Sequence, residues 1–191
     1  ITVYVSSGKT IQNVNAPSVT TMKQADAEKL LKDKKLIAEV EEVYYSKGSN
    51  YEYAPVGYVI KQEPASSSSI AEGSTVKIYV NKGFSANITV NLPNDLKLEQ
   101  YYVSLWADGV AVAESKMLDA TQISKYTFEN VTSKRDSGTY TVKIRSASSK
   151  ALDYQVITVD FKEGTAKRVG SYDDYKNLDA DTSSSDNEDF N

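Results

Sequence analysis

The sequence predicts a small α+β module, one helix on a small antiparallel sheet, followed by an all-β sandwich. Three observations carry this expectation. Residues 57–64 and 75–83 are runs rich in β-branched and aromatic residues, joined by a connection that begins at Pro64, so they read as a hairpin-like pair with Gly73 and Gly83 as turns. Ala27, Leu30 and Leu31 fall at the i, i+3, i+4 spacing of one helix face. From Phe84 onward the pattern becomes one of short alternating strands with turn signals between them.

In chain order, residues 1–8 read in register against residues 76–83, with Tyr4, Val5 and Gly8 opposite Tyr79, Val80 and Gly83. This predicts that residues 1–8 are the last strand of a preceding copy of the same module. Residues 6–10 resemble the close of a phosphate-binding loop, but Val3 stands where its first glycine is required, which rejects that reading. Thr21 and Gln24 have capping-box spacing and predict a helix start, with Asp26, Lys29, Lys32 and Asp33 facing water. Residues 39–45 predict a strand, and residues 46–55 a loop carrying Tyr51 and Tyr53. Tyrosines there either stack on sugar rings or cover the edge of a small sheet, and the second reading is the simpler. In residues 76–81 the alternation buries Val76, Ile78 and Val80 and leaves Lys77, Tyr79 and Asn81 on the wet face.

Within the sandwich, Ile88, Val90 and Leu92 alternate, Pro93 to Asp95 turn, and residues 101–106 form a strand with Trp106 as a core residue. Asp108-Gly109 is a two-residue hairpin signal leading into residues 110–116. Tyr126 and Phe128, then Tyr140, Val142 and Ile144, then Ile157, Val159 and Phe161 supply the remaining core. Residues 169–191, with one Lys/Arg against seven Asp/Glu, read as an acidic flexible tail. Asp179, Asp181 and Asp186 lack the glycine that a calcium loop needs at its sharp turn.

Composition excludes several functions. The chain has no cysteine and no histidine, which removes thiolate chemistry, the usual general base and nearly all zinc sites. The segment is therefore read as non-catalytic, without metal or cofactor. Residues 1–83 and 84–168 each carry a net charge of +1, so neither resembles a basic nucleic-acid-binding surface. No apolar run reaches the length of a membrane span and no signal peptide opens the chain, so any membrane attachment is expected upstream.

Four submotifs occur in a telling order: Pro17-Ser18-Val19, then Ala27 to Leu31, then Gly57-Tyr58-Val59-Ile60-Lys61-Gln62-Glu63-Pro64, then Glu72-Gly73-Ser74 leading to Val76, Ile78, Val80 and Gly83. Together they resemble the PASTA module of bacterial cell-envelope proteins. Family members place glycine where Thr21 and Lys35 stand, so the resemblance predicts a displaced helix cap and a differently built helix exit. Asp136-Ser137-Gly138-Thr139-Tyr140 is similar to the Asp-x-Gly-x-Tyr signature of immunoglobulin-like domains, with Val142 where antibody domains have cysteine. The domains expected are thus residues 1–8 from a preceding PASTA repeat, 9–83 a PASTA domain, 84–168 an Ig-like β-sandwich and 169–191 the tail.

The resemblance implies an extracellular region of a Gram-positive membrane serine/threonine kinase. It would bind peptidoglycan fragments or other cell-wall glycopeptide beside an adjacent PASTA repeat, and clustering would activate the attached kinase domains. The alternatives are a rigid wall-spanning spacer and a C-terminal appendage of a penicillin-binding protein. The matching positions are framework residues, so contact candidates come from exposed groups nearby: Tyr44, Tyr45, Lys47, Tyr51, Tyr53, Lys61 and Glu63.

Overall fold

The computed structural model describes residues 12–178 and divides into two compact units between Gly83 and Phe84. The expectations for residues 1–8 and for Asp179, Asp181 and Asp186 lie outside the described residues.

The first unit contains β1 (Asn13–Asn15), α1 (Gln24–Asp33), β2 (Ile37–Tyr45), β3 (Val59–Glu63), β4 (Ser69–Ala71) and the first half of β5 (Thr75–Asn91). β5 lies between β2 and β3, while β1 and β4 pair antiparallel in a ribbon of their own. One helix lies on this small sheet. Ala27 and Leu31 of α1 pack with Val59, Val76, Ile78 and Val80, and Leu30 is half-buried against the same cluster.

Gln62 ties the chain's entry to β3. Its Oε1 accepts the Val19 N–H at 2.8 Å, and its Nε2 donates to the carbonyls of Pro17 and Pro64 at 3.0 and 3.2 Å. A buried amide with both ends paired stabilises the fold, whereas an unpaired one would cost it. This accounts for a buried glutamine between Lys61 and Glu63.

The helix ends differ from expectation in opposite ways. No capping box forms: Thr21 sits at φ 66°, outside the helix, and Lys23 is the N-cap without a side-chain bond. The open Gln24 N–H instead donates to the Gly57 carbonyl at 3.1 Å, and Gln24 Nε2 reaches Glu28 at 2.7 Å. At the exit, Lys35 takes φ 58°, with Leu36 N–H donating to Leu31 and Lys35 N–H to Lys32, both at 2.9 Å. That is the Schellman arrangement usually closed by glycine. The exit is therefore built in the ordinary way, with a lysine held left-handed.

Two further expectations are corrected along β5. Asn81 is buried: its Nδ2 donates to the Ala54 carbonyl at 2.7 Å and its Oδ1 accepts the Gly83 N–H at 3.0 Å. The loop before β3 covers that end of the sheet's outer face, so alternation alone misplaces the residue. Gly83 is no turn. β5 continues through it, residues 77–80 pairing with β3 and residues 84–91 with β9. No proline or Asn-Gly pair interrupts the β-forming residues on either side.

The second unit holds the rest of β5 with β6 (Gln100–Ala107), β7 (Val110–Glu114), β8 (Leu118–Asp119), β9 (Lys125–Ser133), β10 (Ser137–Arg145), β11 (Leu152–Asp160) and β12 (Thr165–Ser171). The larger sheet runs β12-β11-β10-β6-β7, with β8 on β6, and the second half of β5 pairs with β9. These pairings follow the B–E and C–F–G order of immunoglobulin sandwiches, with β12 added at one edge. Ile88, Phe128, Val103, Leu105, Val142, Ile144, Ile157 and Phe161 fill the core. Asp108 and Gly109 have φ 49° and 79°, as a type I′ hairpin requires.

Trp106 is not a core residue. It is half-exposed on the outer face, its Nε1 donating to Ser104 Oγ at 2.8 Å and Lys143 Nζ lying 4.8 Å from the ring centre. Nor does an open tail begin at residue 169: β12 extends to Ser171, and Tyr175 and Leu178 are buried. β12 is held by backbone bonds to β11 while most of its side chains stay exposed, so its apolar content does not reveal it.

Candidate functional site

The outer face of the first unit's sheet gathers three of the seven expected contact residues around a tyrosine that was not among them. Cross-strand pairing sets Lys61 opposite Tyr79 and Glu63 opposite Lys77. The Tyr79 hydroxyl donates to Glu63 Oε2 at 2.9 Å, and Lys61 Nζ meets Glu63 Oε1 at 2.6 Å, so both carboxylate oxygens are engaged. Lys61 and Lys77 stand 5.0 and 5.4 Å from the Tyr79 ring centre, and Tyr51 from the loop lies 5.9 Å from it with its ring tilted by 35°. Lys77 is also paired with Glu41 of β2.

Tyr45 and Tyr53 meet edge to face at 5.6 Å, Tyr44 is exposed near Lys82, and Lys47 is exposed in the loop after β2. Lys82 itself pairs with Glu42. The signal for Tyr79 was its place on the polar side of the β5 alternation, next to Lys77.

The charges sustain one another. The hydrogen bond from Lys61, then that from Tyr79, holds the Glu63 carboxyl below its ordinary range. The same bond raises Lys61, Glu41 raises Lys77, and the bond to Glu63 followed by burial raises the Tyr79 phenol. Lys61 and Glu63 stay ionised at neutral pH and Tyr79 stays a phenol. Beside them a shallow cleft of about 230 Å³, lined by Asn50, Glu52, Lys61, Gln62 and Ser66 among others, is below the roughly 300–1,000 Å³ of small-molecule pockets. Such a surface suits an extended ligand that lies across it. An aromatic ring can meet the C–H side of a sugar, whereas Lys61 and Lys77, already paired with Glu63 and Glu41, would have to exchange partners to meet a ligand carboxylate.

A model of the PASTA domain family matches residues 14–82. Residues 14–82 are a PASTA domain. The matched residues include α1, β2, β3, the first half of β5 and every residue of the Tyr79 group. No curated protein matches the chain. Among solved structures, the entire extracellular region of the Ser/Thr kinase PrkC from Staphylococcus aureus is similar, at 22% identity and a TM-score of 0.32. The match covers 84% of this chain and 52% of that one, so the chain spans about half the length of the structure it matches. Among the described residues, no helix is long and apolar enough to cross a membrane.

Proposed function

We propose that this chain is part of the extracellular, wall-sensing region of a bacterial membrane serine/threonine kinase, and that its PASTA domain binds peptidoglycan fragments on the Tyr79 face. The observation that carries the ligand reading is the half-exposed Tyr79 ring flanked by two ammonium groups and a carboxylate, a combination suited to a sugar bearing an acidic peptide. Weak binding of several such modules to one polymer raises their effective concentration, draws receptors together and lets attached kinase domains phosphorylate each other. The chain itself supplies recognition and leaves catalysis to the kinase domain.

The test is a titration of isotope-labelled protein with soluble muropeptides. Amide shifts should concentrate at Tyr51, Lys61, Glu63, Lys77 and Tyr79, and Tyr79→Ala should weaken binding by about tenfold, the loss of one aromatic contact. Shifts absent at millimolar ligand would leave the spacer reading in its place. Kinase motifs in the polypeptide upstream, as against Ser-x-x-Lys and Lys-Thr-Gly, separate the kinase from a penicillin-binding protein.

A further inference from the structure

The end of the sandwich where β5 finishes and β9 begins opens into a cleft of about 470 Å³, within the roughly 300–1,000 Å³ range of small-ligand sites. Both sheets build its walls. Asn91 and Lys125 are cross-strand partners at the end of the β5–β9 ribbon, Tyr154 and Arg168 stand on β11 and β12, and Tyr172 follows β12.

The acidic groups of this cleft are already engaged. The Tyr175 hydroxyl donates to Asp95 Oδ1 at 2.8 Å, and Lys176 bridges Asp95 at 3.5 Å and Asp173 at 2.8 Å. Tyr175 also packs edge to face on Tyr154 at 4.9 Å, which fixes the wall. The cations are not engaged: neither Lys125 nor Arg168 forms an ion pair or a side-chain hydrogen bond with a described residue. The Arg168 charge acts on the Tyr154 phenol, opposing the burial that raises its pKa, which puts that charge close to the cleft's aromatic wall.

We propose that this cleft is a second binding site, separate from the PASTA face, for an acidic sugar or polyol whose carboxylate or phosphate is held by Lys125 and Arg168. A guanidinium fork and an ammonium lining one cleft are both suited to an oxyanion, and both groups are solvent-exposed, so little desolvation opposes the contact. Tyr172, 42% exposed, offers an aromatic surface for the ring. Asn94, Ser124 and Ser171 supply short donors and acceptors for hydroxyl groups.

The experiment titrates the full chain with glucuronate, glucose 6-phosphate, glucose and inorganic phosphate, reading amide shifts at Lys125, Arg168 and Tyr172. Both sugar acids are expected to bind, more weakly as salt rises, and glucose at least tenfold more weakly. Arg168→Ala and Lys125→Ala should each cost about tenfold, while Lys167→Ala, a neighbouring cation outside the cleft, should change nothing. Tighter binding of glucose 6-phosphate than glucuronate assigns a phosphate-bearing ligand, and the reverse assigns a carboxylate. The proposal fails if neither acid shifts these amides, if Lys167→Ala costs as much as Arg168→Ala, or if inorganic phosphate binds as tightly as glucose 6-phosphate. The site lies in the second unit, so its failure leaves the muropeptide titration of the Tyr79 face unaffected.

Discussion

Thr21 and Lys35 show how a backbone can be preserved while its preferred residue is lost. Both occupy left-handed positions, at φ 66° and 58°, where a side chain costs roughly 1 kcal/mol or more and glycine costs little. Thr21 is exposed and β-branched, so little burial of its side chain offsets the strain. Thr21→Gly should therefore raise stability by about 1 kcal/mol in urea denaturation, and Thr21→Ala, which keeps a Cβ, should fall short of it. A destabilised glycine variant would show that the threonine side chain contributes something the backbone does not reveal. Gln62 works in the other direction. Gln62→Met keeps the volume but leaves the Val19 N–H and two carbonyls without their partner, at a cost of about 2 kcal/mol or more. In a module whose whole core supplies only about 3 to 5 kcal/mol, that loss should be visible as a fraction unfolded without denaturant.

At the level of elements, what could be read in the sequence depended on how strongly each element's side chains declare their burial. Residues 75–80 of β5 and residues 140–145 of β10 alternate cleanly, and the structure follows them; the α1 stripe of Ala27, Leu30 and Leu31 likewise faces the core. β1 and β4 were not legible, because three residues each carry too little period to register. β12 was hidden for a related reason: Lys167 and Arg168 on an exposed edge discourage further strand pairing and read as a solvated run. Of the candidate face, Lys61, Glu63 and Tyr51 were legible as exposed groups, whereas Tyr79 needed the cross-strand register that makes it their shared neighbour.

The segment after β12 makes a pH prediction at the same scale. Burial first, then the bond to Asp95, pushes the Tyr175 phenol up to about 12 from its ordinary 10.0. A pKa raised by folding contributes stability that is complete below about pH 10 and lost as pH climbs toward 12. The same bond, followed by the Lys176 charge, holds Asp95 below its ordinary range, so that contribution is complete above the usual aspartate pKa and lost in stronger acid. Protection of the amides at residues 174–178, taken relative to the intrinsic hydroxide-catalysed rate, should therefore fall at both extremes. Tyr175→Phe should abolish the alkaline limb, and if that limb survives the substitution, another group governs the segment.

Across the whole chain, two cores draw on one strand. Val76, Ile78 and Val80 close the first core with α1, while Ile88 and Val90 of the same strand are buried in the second unit. Each half pairs with its own partners, β2 and β3 before Gly83 and β9 after it, so neither half depends on the other for its backbone bonds. The first unit has the smaller core and, in a chain without cysteine, no disulfide to reinforce it. Denaturant should therefore release it first, with residues 76–80 exchanging their amides through a lower free energy than residues 88–90. Leu31→Ala, a fully buried site in the first core, should move only the first transition, by about 2 to 5 kcal/mol; Leu105→Ala, equally buried in the sandwich, should move only the second. A single transition displaced by both substitutions would mean that β5 couples the units into one cooperative body, and the separate pairing of its halves would then be the wrong guide to how the protein unfolds.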